Sequence, residues 1–382
     1  MKRKLIIIFT LLRISSYGDS WTQKADFPGI GRAEPFSFSI GNKGYVGTGR
    51  DSNNNKLSDF WEYDPLTNVW TQKTNFGGGL TFRSQAFSTQ NYGYAGWGQS
   101  ADWWKYNPSS NTWSQIPSYT AGAIYWVAAF SIGNYGYAYT ALYSLSQELW
   151  QYDEGSNAWT QKANFPGIIR ANTLAFSAGN KGYLGSGWNS GNTLQDFWEY
   201  DPASNTWSQK ANTPGPARCD AAGFSINGKG YFGIGDLYPG WANDFWQYDP
   251  ALNQWVQKAS FPSSVRDEAA FFSIGNKGYI GLGGEPQMYT DFWEYCPDGV
   301  NCATGIDNSI ISSIQFSIFP NPVNSNLTIT TNHKENIKII NQVGEIVMMR
   351  NIAGKFDLDI STLTSGIYFI KAGNEVKKFV KE

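Results

Sequence analysis

Along most of the chain, apolar and polar positions alternate over short runs that are cut by Gly, Asn and Asp. The stretch "FSFSIGNKGYVGTG" (36–49) gives one such run, a Gly-containing turn and a second run. A period of two residues with turn residues between predicts strands rather than helix. After a polar loop come "DFWEYDP" (59–65) and, past a tight turn, "VWTQK" (69–73). Four short strands in succession are therefore predicted, and the fold is expected to be all-β.

The unit recurs. First-strand segments begin near Phe36, Ala86, Ala129, Ala175, Gly223 and Phe271, giving six copies with a period of roughly 48 residues, the mark of a propeller blade. Third strands read "DFWEYDP", "DWWKYNP", "ELWQYDE", "DFWEYDP", "DFWQYDP" and "DFWEYCP". Blades have no core of their own and bury both faces against neighbours, so the aromatic residues are expected to fill the wedge between sheets. A buried Trp hides about 150–250 Å² and contributes roughly 4–6 kcal/mol gross. The turn glycines suit positive φ, and the G-x-G ending the second strand suits close backbone approach.

Fourth strands carry Trp70, Trp113, Trp159, Trp207 and Trp255, but "DFWEYCP" at 291 has none after it. The spare copy is "WTQKADFPG", starting at Trp21. Pairing of this segment with Phe292–Tyr295 would close the ring and leave no open edge. Residues 19–296 are thus expected to form a six-bladed β-propeller closed by its N-terminal strand.

Both ends of the chain differ from the repeat. "MKRKLIIIFTLL" has a basic start and a short apolar run, as a secretory signal peptide does, so residues 1–18 are read as one. Residues 297–313 read as a linker. From 314 to 382, "IQFSIFPNP", "NLTITT", "NIKIIN", "EIVMMR", "KFDLDIS", "GIYFIKA" and "EVKKFVK" predict seven strands of a small immunoglobulin-like sandwich.

Charge and chemistry narrow the functions. A formal charge of -2 supplies no basic surface, so no nucleic-acid partner is expected. Cys296 and Cys302 flank the turn-forming "PDGVN" and are expected to bridge in an oxidising compartment, leaving Cys219 over. The one histidine, His333, lies outside the blades, which removes Ser-His-Asp and Cys-His chemistry from the ring. No cofactor or metal is expected, and the chain is read as a monomer.

The repeat resembles the kelch motif, with an Arg before the first strand, Gly residues ending the second, Tyr in the third and Trp in the fourth. The likeness covers residues 20–296, although the kelch Gly-Gly doublet is mostly G-x-G here and the third blade reads "GYAYTA". Kelch-like galactose oxidases hold copper with histidines, which this ring lacks. The tail resembles the C-terminal sorting domain of type IX secretion in Bacteroidetes, through "FPNP" at Phe319–Pro322, "SGIYFIKA" at Ser365–Ala372 and the final "KKFVK". That resemblance implies recognition by the secretion translocon and delivery through the periplasm to the surface or the medium.

Candidate binding residues gather before the first strands. Arg32, Arg170, Arg218 and Arg266 each precede the strand Phe by six positions, and Arg83 falls two residues later in its blade. Lining the channel mouth, they would capture an acidic sugar or peptide by bidentate pairing; alternatively they tie adjacent blades together. Glu34, Asp220, Asp267 and Glu268 stand at the same strand starts, where two acids across a channel would suit a glycosidase and ion pairing is the plainer role. In the third blade Tyr125, Trp126, Tyr139 and Tyr143 replace smaller residues and could stack on sugars or pack between blades. The expected ligand set is Arg32, Glu34, Arg83, Trp126, Arg170, Asn172, Arg218, Asp220, Arg266 and Glu268. The expected function is binding of a glycan or protein ligand, with a carbohydrate-active enzyme resembling the sialic acid mutarotases as the alternative and a purely structural surface protein as the third.

Overall fold

The computed structural model describes residues 18–96, 98, 100–118, 128–140, 147–284, 287–298, 316–331, 335–342, 345–372 and 375–382. The chain divides into two compact units, Met1–Cys302 and Ala303–Glu382. Among the described residues the first unit holds six four-stranded antiparallel sheets, each running first to fourth strand from one side to the other. Blade 1 is Phe36–Ile40, Lys43–Gly47, Phe60–Asp64 and Val69–Lys73. The first strand of each blade contacts the first strands of its two neighbours, so these strands form the innermost wall.

The repeated phrase "DFWEYDP" distributes its side chains by strand alternation. Phe60 and Tyr63 are wholly buried. Asp64 accepts from the Leu66 N–H and starts the turn. Asn68 ends that turn with φ 56°, a left-handed conformation that asparagine tolerates well. Its Oδ1 accepts from the Tyr63 hydroxyl at 2.8 Å and from the Ala25 N–H, beyond the fourth strand of the preceding blade, at 2.9 Å. The tyrosine-to-asparagine bond recurs as Tyr106 to Asn111, Tyr152 to Asn157, Tyr200 to Asn205 and Tyr248 to Asn253.

The last blade is completed from the start of the chain. Ser20–Gln23 pairs antiparallel with Phe292–Cys296, with Trp21 opposite Tyr295 and Ser20 opposite Cys296. No asparagine is available here, and Asp19 takes its place, accepting from the Tyr295 hydroxyl at 3.2 Å and from the Ala259 N–H. Cys296 is disulfide-bonded and Cys219 is free; Cys302, the expected partner of Cys296, lies outside the described residues.

The fourth-strand tryptophans do more than fill space. Trp21, Trp70, Trp113, Trp159, Trp207 and Trp255 each donate the indole N–H to a backbone carbonyl just after the fourth strand of the preceding blade, at 2.8–3.3 Å. Nearer the axis, the first-strand Phe of each blade lies on a second-strand Gly of the next. A Cβ on Gly44 would fall 2.2 Å from the Phe272 ring, and one on Gly278 would fall 2.1 Å from Phe224. Any side chain there would wedge two blades apart.

In the second unit, Phe316–Phe319, Asn326–Thr331 and Lys355–Asp359 form one sheet, and Glu335–Ile340, Ile346–Ile352, Gly366–Ala372 and Glu375–Lys381 form the other. Leu327, Ile329, Ile337, Ile339, Leu358, Ile370 and Phe379 make its buried core. Both sheets thus bury one alternating face, as a sandwich requires.

Candidate functional site at the channel mouth

The arginines expected to line the mouth are sealed in the wall instead. Arg32, Arg170, Arg218 and Arg266 are at most 1 % exposed. Arg32 donates through Nε to the Ile30 carbonyl, through Nη1 to the Thr48 carbonyl and Asp59, and through Nη2 to Asp59, in a bidentate pair at 2.6 and 2.7 Å. Arg170 pairs with Asp196, Arg218 with Asp244 and Arg266 with Asp291, the last at 2.6 Å. The same four aspartates accept the indole N–H of Trp61, Trp198, Trp246 and Trp293. Burial pushes these carboxyls up, but the paired guanidinium and the indole more than reverse it, and all four sit below the usual aspartate value. With every guanidinium nitrogen already hydrogen-bonded and no exposed face, each of these groups is held as a structural clamp.

The residue two positions on in each loop behaves differently. Glu34, Arg83, Asn172, Asp220 and Glu268 all have positive φ, between 50° and 61°. Such a conformation is costly for Glu and Arg, and its repetition marks a position the surrounding structure enforces. A belt of backbone bonds does so: Glu34 N–H to Glu268 C=O, Arg83 N–H to Glu34 C=O, and Asp220 N–H to Asn172 C=O, at 3.1–3.2 Å. The five residues line one pocket of about 130 Å³ together with Phe36, Ala86, Ala129, Ala221, Ala269 and Phe271.

The rim is a charge network. Arg50 donates from Nε to Glu34 at 2.7 Å and from Nη2 to Glu268 at 3.1 Å, and Arg83 also donates to Glu34. Glu268 is pushed well up by burial and by repulsion from Glu34, Asp220 and Asp267, with a hydrogen bond to Glu34 keeping its proton in place. Asp220 accepts from the Asn172 amide at 2.7 Å. It too is raised, by burial first and then by Asp267, against the opposing pull of Asn172 and Cys219. Carboxyl, amide and guanidinium side chains thus face one cavity and offer both acceptors and donors to hydroxyl groups.

Arg50 was not among the residues nominated from sequence. Its signal was the basic residue directly after "GTG" (47–49), where other blades have Trp188, Asp236 or Gly284. In the third blade, Tyr139 is fully buried and packs edge-on to Phe165 at 5.5 Å, so it cements blades and offers no face to a sugar. Trp126, Tyr125 and Tyr143 lie outside the described residues. Among the described residues no group of three His, Cys, Asp or Glu side chains is placed to hold a metal ion.

Residues 317–382 match the family model for the secretion system C-terminal sorting domain. Among solved structures, one titled "Structure of YjhT" superposes with a TM-score of 0.60 at 15 % identity, covering 70 % of this chain and 95 % of its own. At that identity the likeness establishes the fold, a kelch-like propeller. No curated protein matches the chain in sequence. The tail directs the chain out of the cell by type IX secretion.

Proposed function

We propose that this chain is an exported binding module, displayed at the cell surface, that holds a sugar residue of a glycan in the pocket at the mouth of its propeller. One observation carries the reading: the same strained backbone position in five blades converges on one cavity. That cavity joins carboxyl, amide and guanidinium groups to a floor of Phe and Ala. Pyranose rings present hydroxyl edges and apolar faces, and such a mixed lining serves both. Because carboxyls from three blades face the pocket and the wall arginines are clamped, a neutral sugar fits better than the acidic ligand expected from sequence.

The test is a glycan array with the full chain, Asp220→Ala and Asn172→Ala. Loss of about ten-fold or more in affinity in both variants is expected, from removal of buried polar partners. Unaltered binding in both, or no glycan bound, would overturn the reading. A second reading, a carbohydrate-active enzyme, is favoured by Glu34 and Glu268 lining one pocket, where burial and repulsion from Glu34 raise Glu268 toward the range of a general acid. Conversion of a captured sugar, followed by NMR, would select it.

A further inference from the structure

Most tryptophans of the propeller are buried or half-buried, but Trp241 is 41 % exposed and Tyr238, in the same loop, is 63 % exposed. Trp241 is the one exposed tryptophan among the described residues. Both belong to "DLYPGWAN" (236–243), which joins the second and third strands of blade 5. Corresponding loops spend their aromatic residues inward. Trp188 of blade 4 is half-buried and bridged to Ala171 and Thr193, and Tyr289 of blade 6 covers the Arg266 guanidinium at 4.2 Å.

The loop of blade 5 is strapped down. Asp236 and Cys219 exchange both backbone hydrogen bonds at 2.9 Å, Leu237 N–H reaches the Gly240 carbonyl at 2.7 Å, and Ala242 N–H reaches the Gly235 carbonyl at 2.9 Å. Asp236 Oδ1 accepts from the Tyr238 N–H at 2.7 Å, and Asp236 also bridges Trp241. Two large rings are therefore held outward on a fixed frame, which lowers the ordering cost of a ligand that stacks on them.

The frame also sets their distance from the mouth. Cys219, which Asp236 pairs with, is the neighbour of Asp220 in the pocket. Summing one peptide step and two antiparallel pair spacings puts the Trp241 and Asp220 Cα atoms within about 15 Å of one another. A short oligosaccharide can bridge a separation of that size.

We propose that Tyr238 and Trp241 form a second, stacking subsite, so that the ligand is an oligosaccharide running from the mouth outward over blade 5. This rests on the mouth being a sugar site. The experiment uses the full chain and calorimetric titration with ladders of cello-, manno- and chito-oligosaccharides, from monosaccharide to hexasaccharide. In the wild type, affinity for at least one ladder should rise with length and then level off. The double variant Tyr238→Ala/Trp241→Ala should lose about ten-fold on the long members, the scale of one or two aromatic contacts, and nothing on the monosaccharide. Asp220→Ala should weaken every member. Its melting temperature and that of the double variant, measured alongside, confirm folding.

A ladder whose affinity does not depend on length, or long members bound equally by the double variant, overturns the stacking subsite and leaves the mouth reading standing if Asp220→Ala still weakens them. Binding that needs the aromatic pair but ignores Asp220→Ala overturns the mouth reading and with it the spanning ligand. Absence of binding to all three ladders overturns the proposal as stated.

Discussion

Arg218 and Asp220 stand two residues apart in one loop, yet the first is 0 % exposed and clamped to Asp244 while the second faces the pocket. The contrast repeats in blades 1, 4 and 6, with Arg32 and Glu34, Arg170 and Asn172, Arg266 and Glu268. The side chain that stays the same from blade to blade is the one that builds the wall. The one that changes, on a backbone held in the same left-handed turn, is the one left facing the cavity. In a repeat protein, then, recurrence of a charged residue argues for architecture, and chemical variety at a fixed strained position argues for a site.

The sharpest way to break this distinction is Arg218→Ala. Removing one partner of a buried pair should cost about 3 kcal/mol, seen as a large fall in denaturation midpoint, and any ligand bound by the surviving folded fraction should bind as before. Loss of binding without loss of stability would reverse the roles assigned to the two tiers.

The mouth tier is sharpened by pH. Asp220 and Glu268 are raised in the folded state, so between the ordinary carboxyl value and their own the folded chain holds protons that the unfolded chain has released. Their contribution to stability is greatest at acid pH and falls as pH rises toward neutrality. The wall aspartates are lowered; their contribution is present above the ordinary value and is lost as pH falls below it. Melting temperature should peak at mildly acidic pH. Asp220→Asn should raise it at about pH 8, by roughly 2–4 °C per kcal/mol relieved, and leave it unchanged near pH 4. A variant that melts lower than wild type throughout would show that Asp220 is needed as a carboxyl for folding.

The smallest effect belongs to the solvent-facing pair Lys181–Asp201, outside the pocket, with Lys181 34 % exposed. Lys181→Ala should leave the denaturation midpoint close to that of the wild type, because solvent screens an exposed pair, and leave ligand affinity untouched, a baseline for the two larger changes.

Much of the fold was legible in sequence because the blade is a period-two pattern written six times, and the missing tryptophan after "DFWEYCP" gave away the role of Trp21. The tail strands were legible for the same reason, each alternating apolar and polar positions over a short run. Which side chains gather at the mouth was legible in part. Glu34, Arg83, Asn172, Asp220 and Glu268 do share the pocket, but four arginines nominated with them do not reach it. Sequence spacing shows which residues recur and not which way they turn. The aspartate that captures each arginine lies 25–27 residues downstream, beyond any local pattern. Arg50 was missed because only one blade carries it.

The seam between Ser20–Gln23 and Phe292–Cys296 fixes a timetable for biogenesis. No assembly line working from one end can finish the propeller, because its last-made strand must capture its first-made. Until it emerges, the N-terminal segment stays unclaimed, with the sixth blade unfinished beside it. Commitment to the native state is therefore a single late event, and a nascent chain halted short of residue 296 cannot rehearse it.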